Sequence, residues 1–522
     1  LIENEHFGWR QMARAMIKQF DLLVVGGGIN GAGIARDAAG RGLSVCLCER
    51  DDLAGHTSSA STKLIHGGLR YLEQYQFALV GKALGEREVL LRAAPHIIRP
   101  LRFVLPHQSH LRPAWLIRLG LFLYDHLGRG RRSLPRSRRV SLRRHKSGLP
   151  LRDEFHIGFV YSDAWVQDAR LVVLNALDAK ERGATVFTRT RCLRADRDDQ
   201  GWTAQLQPAE GELITVRAKA LVNATGPWAV QFLDQVARLG HSHALRLVKG
   251  SHIVVPRLFE HPYAYIFQQP DRRIVFAIPY EQDFTLIGTT DLDYREDPSS
   301  PRISTQETRY LCEAVNRYFK RSIAPADVVW SYSGVRPLLE DESDNAAEVT
   351  RDYLLELDRQ GAPLLNVFGG KLTTYRKLAE EAMDRLAPLF PAATAAWTSQ
   401  GHPLPGGERQ DVNAWQRELQ ATHPWLPEGM ARRLAHSYGT RATRVLDQAG
   451  ALEDLGEHFG ADLYQLEVDY LREQEWALDA DDVLWRRSKL GLRFTPQQVA
   501  RLTAYLAGAP SAYDGPVVMK HS

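Results

Sequence analysis

The residues of this chain whose types and spacing suit chemistry begin with two neighbouring strings. In FDLLVVGGGINGAGIARDAAGRGLSVCLCE, residues 20 to 49, Gly26, Gly28 and Gly31 have the GxGxxG spacing and Glu49 ends the string. The types meet separate needs: Gly26 permits a tight turn, Gly28 lets backbone N–H groups approach a pyrophosphate, and Gly31 lets a helix pack on a strand. Glu49, at about the 20-residue offset this chemistry uses, is expected to accept a hydrogen bond from a ribose hydroxyl. The spacing predicts a dinucleotide with its phosphates at a helix N-terminus and leaves NAD and FAD equally open. The second string, SSASTKLIHGGLRYLE at 58 to 73, combines hydroxyls and paired glycines suited to a loop threading between pyrophosphate and ring system. It also brings His66, Arg70 and Tyr71 close together.

Positioning these groups requires a strand, a glycine turn, a helix and a second strand over residues 20 to 49. KALVNATGPWAVQFL (219 to 233) and PLLNVFGGKLTTYRKLAEEAMDRL (363 to 386) repeat the strand–Gly–helix pattern, the latter with Lys371 near its helix start. Three widely separated turns of one kind imply a single cofactor domain assembled from noncontiguous pieces. Between them, GSHIVVP, RRIVFAIPY and FTLIGTTD are rich in β-branched and aromatic residues bounded by Gly, Pro or Asp, which predicts antiparallel sheet. After HPLPGG (402 to 407) the spacing turns helical to about residue 508.

A length of 522 residues exceeds what one core usually serves, so two or three domains are expected. Apolar content of 44%, charge of 25% and a net charge of +4 are ordinary for a soluble enzyme. Cys46, Cys48, Cys192 and Cys312 lack metal-ligand spacing and read as core thiols of a reducing compartment. No stretch approaches the roughly 20 uninterrupted apolar residues of a spanning helix. The N-terminal segment has no apolar signal core, and residues 1 to 19 are read as an extension without assigned function.

Taken together, TSSASTKLIHGGLRYLE, EREVLLRAAPHI, LRPAWLIRLGLFLYDHLG, LVNATGPW, KGSHIVVP, IGTTD, YSGVRPL, DESD, TRDY and FGGKLTTYRKLAE resemble the FAD-dependent glycerol-3-phosphate dehydrogenases of aerobic bacteria. The resemblance runs in order from about residue 20 to the end. It implies an α/β (overall α+β) fold: an FAD-binding Rossmann-type domain, a β-rich substrate domain and a C-terminal all-helical domain. The oxidoreductase part is expected at 20–395, with FAD-binding pieces near 20–100, 155–235 and 340–395. Substrate- and membrane-facing pieces are expected near 100–155 and 236–340, and the helical domain at 396–522. The implied reaction is oxidation of sn-glycerol 3-phosphate to dihydroxyacetone phosphate on FAD, with electrons passed to a membrane quinone. A peripheral place on the inner face of the cytoplasmic membrane is implied too, and a homodimer is admitted.

By the same resemblance, FAD is expected to run along Gly26, Gly28, Ile29, Asn30, Gly31 and Glu49, then Thr57, Ser58, Ser59, Lys63, Leu64, His66, Gly67 and Gly68. From the distant turns come Thr225, Gly226, Gly370, Lys371, Leu372 and Thr373. A phosphate dianion needs cationic forks, at which Arg surpasses Lys; Arg70, Arg336 and Arg351 are the candidates, with Tyr71 as a hydrogen-bonding partner of substrate oxygen. Removing a hydride from C2 requires a proton acceptor for its hydroxyl. His252 and His66 are the titratable candidates, and Lys371 a cation to steady negative charge on the cofactor or reach the phosphate. The bland rivals are that His252 is a satisfied core residue and that the Arg residues belong to structural ion networks, Arg351 with the DESD acids.

Residues 129 to 146 contain eight Arg, one Lys and no acid, directly after the apolar PAWLIRLGLFLYDHL. This pairing suits docking on an anionic membrane surface; a solvated loop beside a core helix is the alternative. No recognised binding fold surrounds the run, so nucleic acid is not expected. The rival functions are a flavin oxidase of amines or amino acids and a flavin-binding interaction protein.

Overall fold

The computed structural model describes residues 18–72, 75–108, 112–128, 133–240, 243–271, 273–340 and 352–508. Leu22, Leu23 and Val24 have no solvent exposure, as befits a parallel strand covered on both faces. Their strand, Lys18–Val25, lies inside a sheet ordered Tyr353–Asp358, Leu364–Gly369, Ile214–Asn223, Lys18–Val25, Val45–Cys48, Thr185–Phe187. All pairs along this path are parallel except the Tyr353–Asp358 edge. Val25 stands beside Asn223, and Asn223 beside Asn366, so the three glycine turns following these strands open on one edge. That is where open parallel sheets bind ligands. Helices Ile29–Gly40, Asp168–Glu181 and Tyr375–Leu386 share one apolar core with the sheet.

The second sheet runs Leu292–Asp293, Leu245–Pro256, Phe284–Gly288, Ile274–Tyr280, Ala264–Gln268, Ile98–Pro106, Ile157–Val166, Leu64–Ile65, with Trp330–Leu339 also paired to Leu245–Pro256. GSHIVVP, RRIVFAIPY and FTLIGTTD supply its antiparallel centre, as their composition predicts. One boundary differs from expectation. Ile157–Val166, within the 155–235 piece expected to bind FAD, instead pairs with Ile98–Pro106 in this second sheet. Its nine consecutive antiparallel pairs with Ile98–Pro106 outweigh its closeness in sequence to the helix that follows.

The C-terminal part packs Val412–Thr422, Glu428–Tyr438, Gln465–Glu475 and Pro496–Gly508 about Leu419, Leu434, Phe459 and Leu471. It is not all helical: His458–Gly460 and Leu463–Tyr464 form a small antiparallel ribbon, closed by Ala461 at φ 50°. Buried ion pairs bolt this part to the cofactor unit, Asp52 to Arg487 at 2.5 and 2.7 Å and Arg170 to Glu475. No helix among the described residues is long and apolar enough to cross a membrane.

Candidate active site

Gly26 adopts φ 111°, and a Cβ there would lie 2.4 Å from the Ala224 carbonyl oxygen. A Cβ on Gly31 would lie 1.9 Å from the oxygen of Gly26, so the helix Ile29–Gly40 approaches the turn only because both residues lack side chains. Gly28 is the N-cap, and no side chain caps the first turn from that position. Ser58 Oγ accepts the Ile29 N–H at 3.0 Å from across the cavity mouth. The Asn30 amide donates to the Gly369 carbonyl at 3.1 Å and leaves its own buried Oδ1 without a partner. Glu49 accepts from the N–H groups of Gly27 (2.6 Å) and Asp51 (2.9 Å). Each carboxylate oxygen retains a second lone pair, and Glu49 lines the cavity. Burial raises its carboxyl, opposed by those two N–H groups.

A cavity of about 190 Å³ joins the three turns, from Gly26, Gly28 and Glu49 to Thr225, Gly226 and Gly370. Sequence reasoning missed part of its wall: Thr190, Cys192, Trp228 and Phe232. Trp228 was legible in the LVNATGPW motif; Thr190 and Cys192 carry no motif and arrive through a hairpin. Arg50 lies 3.9 Å over the Trp228 ring and His56 meets it edge-on.

Beyond Ser58 the loop runs past strands Leu245–Pro256 and Trp330–Leu339, which hold two further candidates. His252 has no solvent exposure; its Nε2 shares a hydrogen bond with Thr62 Oγ1 at 3.0 Å, and its ring stacks on Tyr332 at 4.8 Å. Nδ1 is buried without a partner. Burial, then the nearby charges of Arg336 and Lys63, hold the imidazole well below the usual histidine range, so it is neutral. Arg336 stands one strand pairing away, opposite Val248, with Nη1 paired to Asp291 and Nη2 donating to Thr289 Oγ1 at 2.9 Å. Tyr332, Thr289 and Asp291 were not singled out as site residues, although YSGVRPL and IGTTD contain them.

Lys371 sits at the N-cap of the turn Leu372–Thr374, with its ammonium 4.1 Å over the Tyr71 ring. Thr373 Oγ1 accepts the His66 N–H at 3.3 Å, which joins the first and third sequence pieces. Gly67 N–H donates to the Tyr124 hydroxyl, and Gly68 follows at φ 75°. Thr57 donates to the Val335 carbonyl at 2.7 Å, whereas Ser59 Oγ donates to the His56 carbonyl at 3.2 Å. Lys63 departs from its expected use: its ammonium is buried against both oxygens of Asp168 at 2.8 and 2.9 Å, because a buried charge requires a counter-ion. Leu64 is buried in the adjoining two-residue strand. The side chain of Arg70 and all of Arg351, with the DESD acids, lie outside the described residues.

These features define a dinucleotide-dependent oxidoreductase with a separate substrate sheet. Residues 21–376 match the FAD dependent oxidoreductase family, and residues 397–507 match the C-terminal domain of alpha-glycerophosphate oxidase. The chain is 57% identical to a glycerol-3-phosphate dehydrogenase of Pseudomonas aeruginosa over 93% of its length and 95% of that protein's. It is 51% identical to a D-erythritol 1-phosphate dehydrogenase of Brucella abortus, over 94% of this chain and 98% of that one. Among solved structures, the glycerol-3-phosphate dehydrogenase of Bacillus halodurans complexed with FAD superposes with TM-score 0.73 at 28% identity, covering 94% of both chains. The chain belongs to the family of FAD-dependent glycerol-3-phosphate dehydrogenases. Its cofactor is FAD, and the glycine cradle and the unpartnered Asn30 oxygen fit that group.

Proposed function

We propose that the protein oxidises sn-glycerol 3-phosphate to dihydroxyacetone phosphate and passes the electrons to a membrane quinone. The observation that carries this reading is a neutral, buried His252 and the cationic Arg336 on two paired strands, within a chain 57% identical to a glycerol-3-phosphate dehydrogenase. Bound FAD supplies a two-electron acceptor for the C2 hydride. His252 takes the proton of the C2 hydroxyl on an imidazole nitrogen, with Thr62 holding the ring. Arg336, oriented by Asp291 and Thr289, binds the phosphate together with Arg70 and Arg351. Lys371 and Tyr71 hold substrate oxygens, and His66 fixes the loop edge beside the cofactor.

A second substrate, D-erythritol 1-phosphate, is favoured by one observation, the 51% identity to the Brucella enzyme. Anaerobic titration separates the readings. Glycerol 3-phosphate is expected to bleach the flavin at once; bleaching by erythritol phosphate alone, or by amino acids alone, overturns the assignment.

The electron exit is proposed at a membrane. Helix Ala114–His126 exposes Trp115 (68%), Leu119 (46%) and Phe122 (49%) along one face. Ser137, from the basic run, donates to Asp125 on this helix, so apolar face and cations share one part of the surface. Arg138 and Arg139 sit exposed on the edge strand Arg138–Ser141, not on a loop. This arrangement supports peripheral docking on anionic lipid.

A further inference from the structure

A second cavity, of about 360 Å³, lies between the oxidoreductase and C-terminal parts. Its walls come from the turn after Gly55, the Pro298–Pro301 segment, the start of strand Trp330–Leu339 and the segment ending at Lys489. It is distinct from the cofactor cavity but shares Gly55, His56 and Thr57 with it, so one turn of chain separates the two.

The charges in this wall do not balance. Lys489 donates only to the carbonyl of Trp485 and forms no ion pair among the described residues. The acids around it are committed elsewhere: Asp168 to Lys63, and Asp52 and Asp482 to Arg486 and Arg487. His56 is held by Asp51 at 2.7 Å, and Asp481 is exposed at the rim. Burial and the neighbouring Lys63 lower the Lys489 ammonium to about 7, against weaker opposing pulls from Asp168 and Glu281. Ser59, Ser299, Ser300 and Ser333 also line the cavity; Ser59 donates to the His56 carbonyl, Ser299 to Asp297, and Ser333 bonds to Ser251. Trp330 and Trp485, stacked at 4.3 Å, form a flat apolar side.

We propose that this cavity is a second ligand site that takes a tetrahedral oxyanion, either free phosphate or the phosphate group of a small metabolite. An uncompensated ammonium in a partly desolvated cavity gains most from an anion, because its charged form is then restored. The Ser300 hydroxyl supplies a neutral donor to a remaining oxygen, and the tryptophan pair packs against an organic body. Occupancy links the C-terminal part to the Gly55–Thr57 turn, and through it to the cofactor cavity.

The test uses the FAD-loaded full chain without turnover, so its failure is separate from any failure of the substrate assignment. Sulfate, inorganic phosphate and 3-phosphoglycerate are titrated at constant ionic strength, with tryptophan fluorescence and Tm as readouts. Saturable binding is expected, weakened at least about tenfold in K489Q and retained in R336K. Tighter binding of 3-phosphoglycerate than of phosphate assigns the site to a metabolite; equal binding assigns it to the free ion. Absence of saturation, or equal binding in K489Q and the parent, overturns the site. Should K489Q not fold, the pH series decides: sulfate keeps its charge across this range, so its affinity must fall as pH rises through about 7, and a flat profile overturns the proposal.

Discussion

The Tyr124 hydroxyl accepts the Gly67 N–H at 2.8 Å and donates to the Asp163 carboxylate, itself paired with Arg87 at 2.7 Å. The helix carrying the exposed apolar face thereby holds the loop that runs from His66 to Tyr71. Removing the hydroxyl leaves a buried N–H and a carboxylate oxygen short of partners, at about 1–3 kcal/mol. Y124F is expected to raise KM for glycerol 3-phosphate about five- to tenfold while the flavin content stays at one per chain. Unchanged KM with a lowered Tm would mean that the tyrosine serves packing alone.

His252 is neutral at working pH because burial disfavours its charged form. H252Q is expected to lower kcat by about 10²–10⁴, with Tm measured alongside. Since the folded pKa is depressed, the acid limb of kcat/KM lies below the usual histidine range. A limb at or above pH 6.5 would assign the proton to another group.

Gly288 leaves room for that ring. A Cβ there would meet His252 Cδ2 at 2.1 Å. G288A is expected to mimic H252Q in stopped-flow flavin reduction while binding FAD normally; full activity would show that the ring shifts freely.

Arg336 is oriented by Asp291 and Thr289, a two-point hold that lysine cannot reproduce. R336K is expected to lose about 1.5–3 kcal/mol of phosphate binding, roughly ten- to a hundredfold in kcat/KM. If flavin reduction by glycerol 3-phosphate keeps its parent kcat/KM, Arg336 belongs to the Asp291 ion network and not to the substrate.

Replacing Trp115, Leu119 and Phe122 with serine, or Arg138, Arg139, Arg143 and Arg144 with glutamine, is expected to move protein from membrane to soluble fractions. Each basic residue near a lipid surface contributes about 1 kcal/mol. Flotation with vesicles containing anionic lipid measures the effect, and unaltered flotation in both variants would sink the docking proposal.

His96 provides a pH test of stability. It is fully buried with both ring nitrogens unpartnered, and burial lowers it to about 3. A base with a depressed folded pKa binds its proton more readily unfolded, so stability is retained above the unfolded pKa near 6.5 and lost as pH falls toward 3. This one residue contributes about 1.4 kcal/mol per pH unit in that window. Denaturant unfolding of H96L should show a shallower slope there; the same slope as the parent would locate the acid sensitivity elsewhere.

The GxGxxG turn, its acid and the two later glycine turns were legible in sequence because their constraints are local. A left-handed φ at Gly26, or a 1.9 Å approach at Gly31, admits one residue type, so the type reports the geometry. Strand composition likewise announced the antiparallel centre of the second sheet. The family motifs brought His252, Arg336 and Lys371 into view, but what each touches was decided by tertiary structure. Lys63 turned to Asp168 across 105 positions, and Arg336 to Asp291 across 45. Ile157–Val166 joined the substrate sheet, and Lys489 came to face a cavity formed by two parts of the chain. Charge pairing and burial act through space, and their energy depends on which distant groups the fold brings together. The local chain determined where a dinucleotide is held; the packing of distant segments decided which charges are paired and which groups line the cavities.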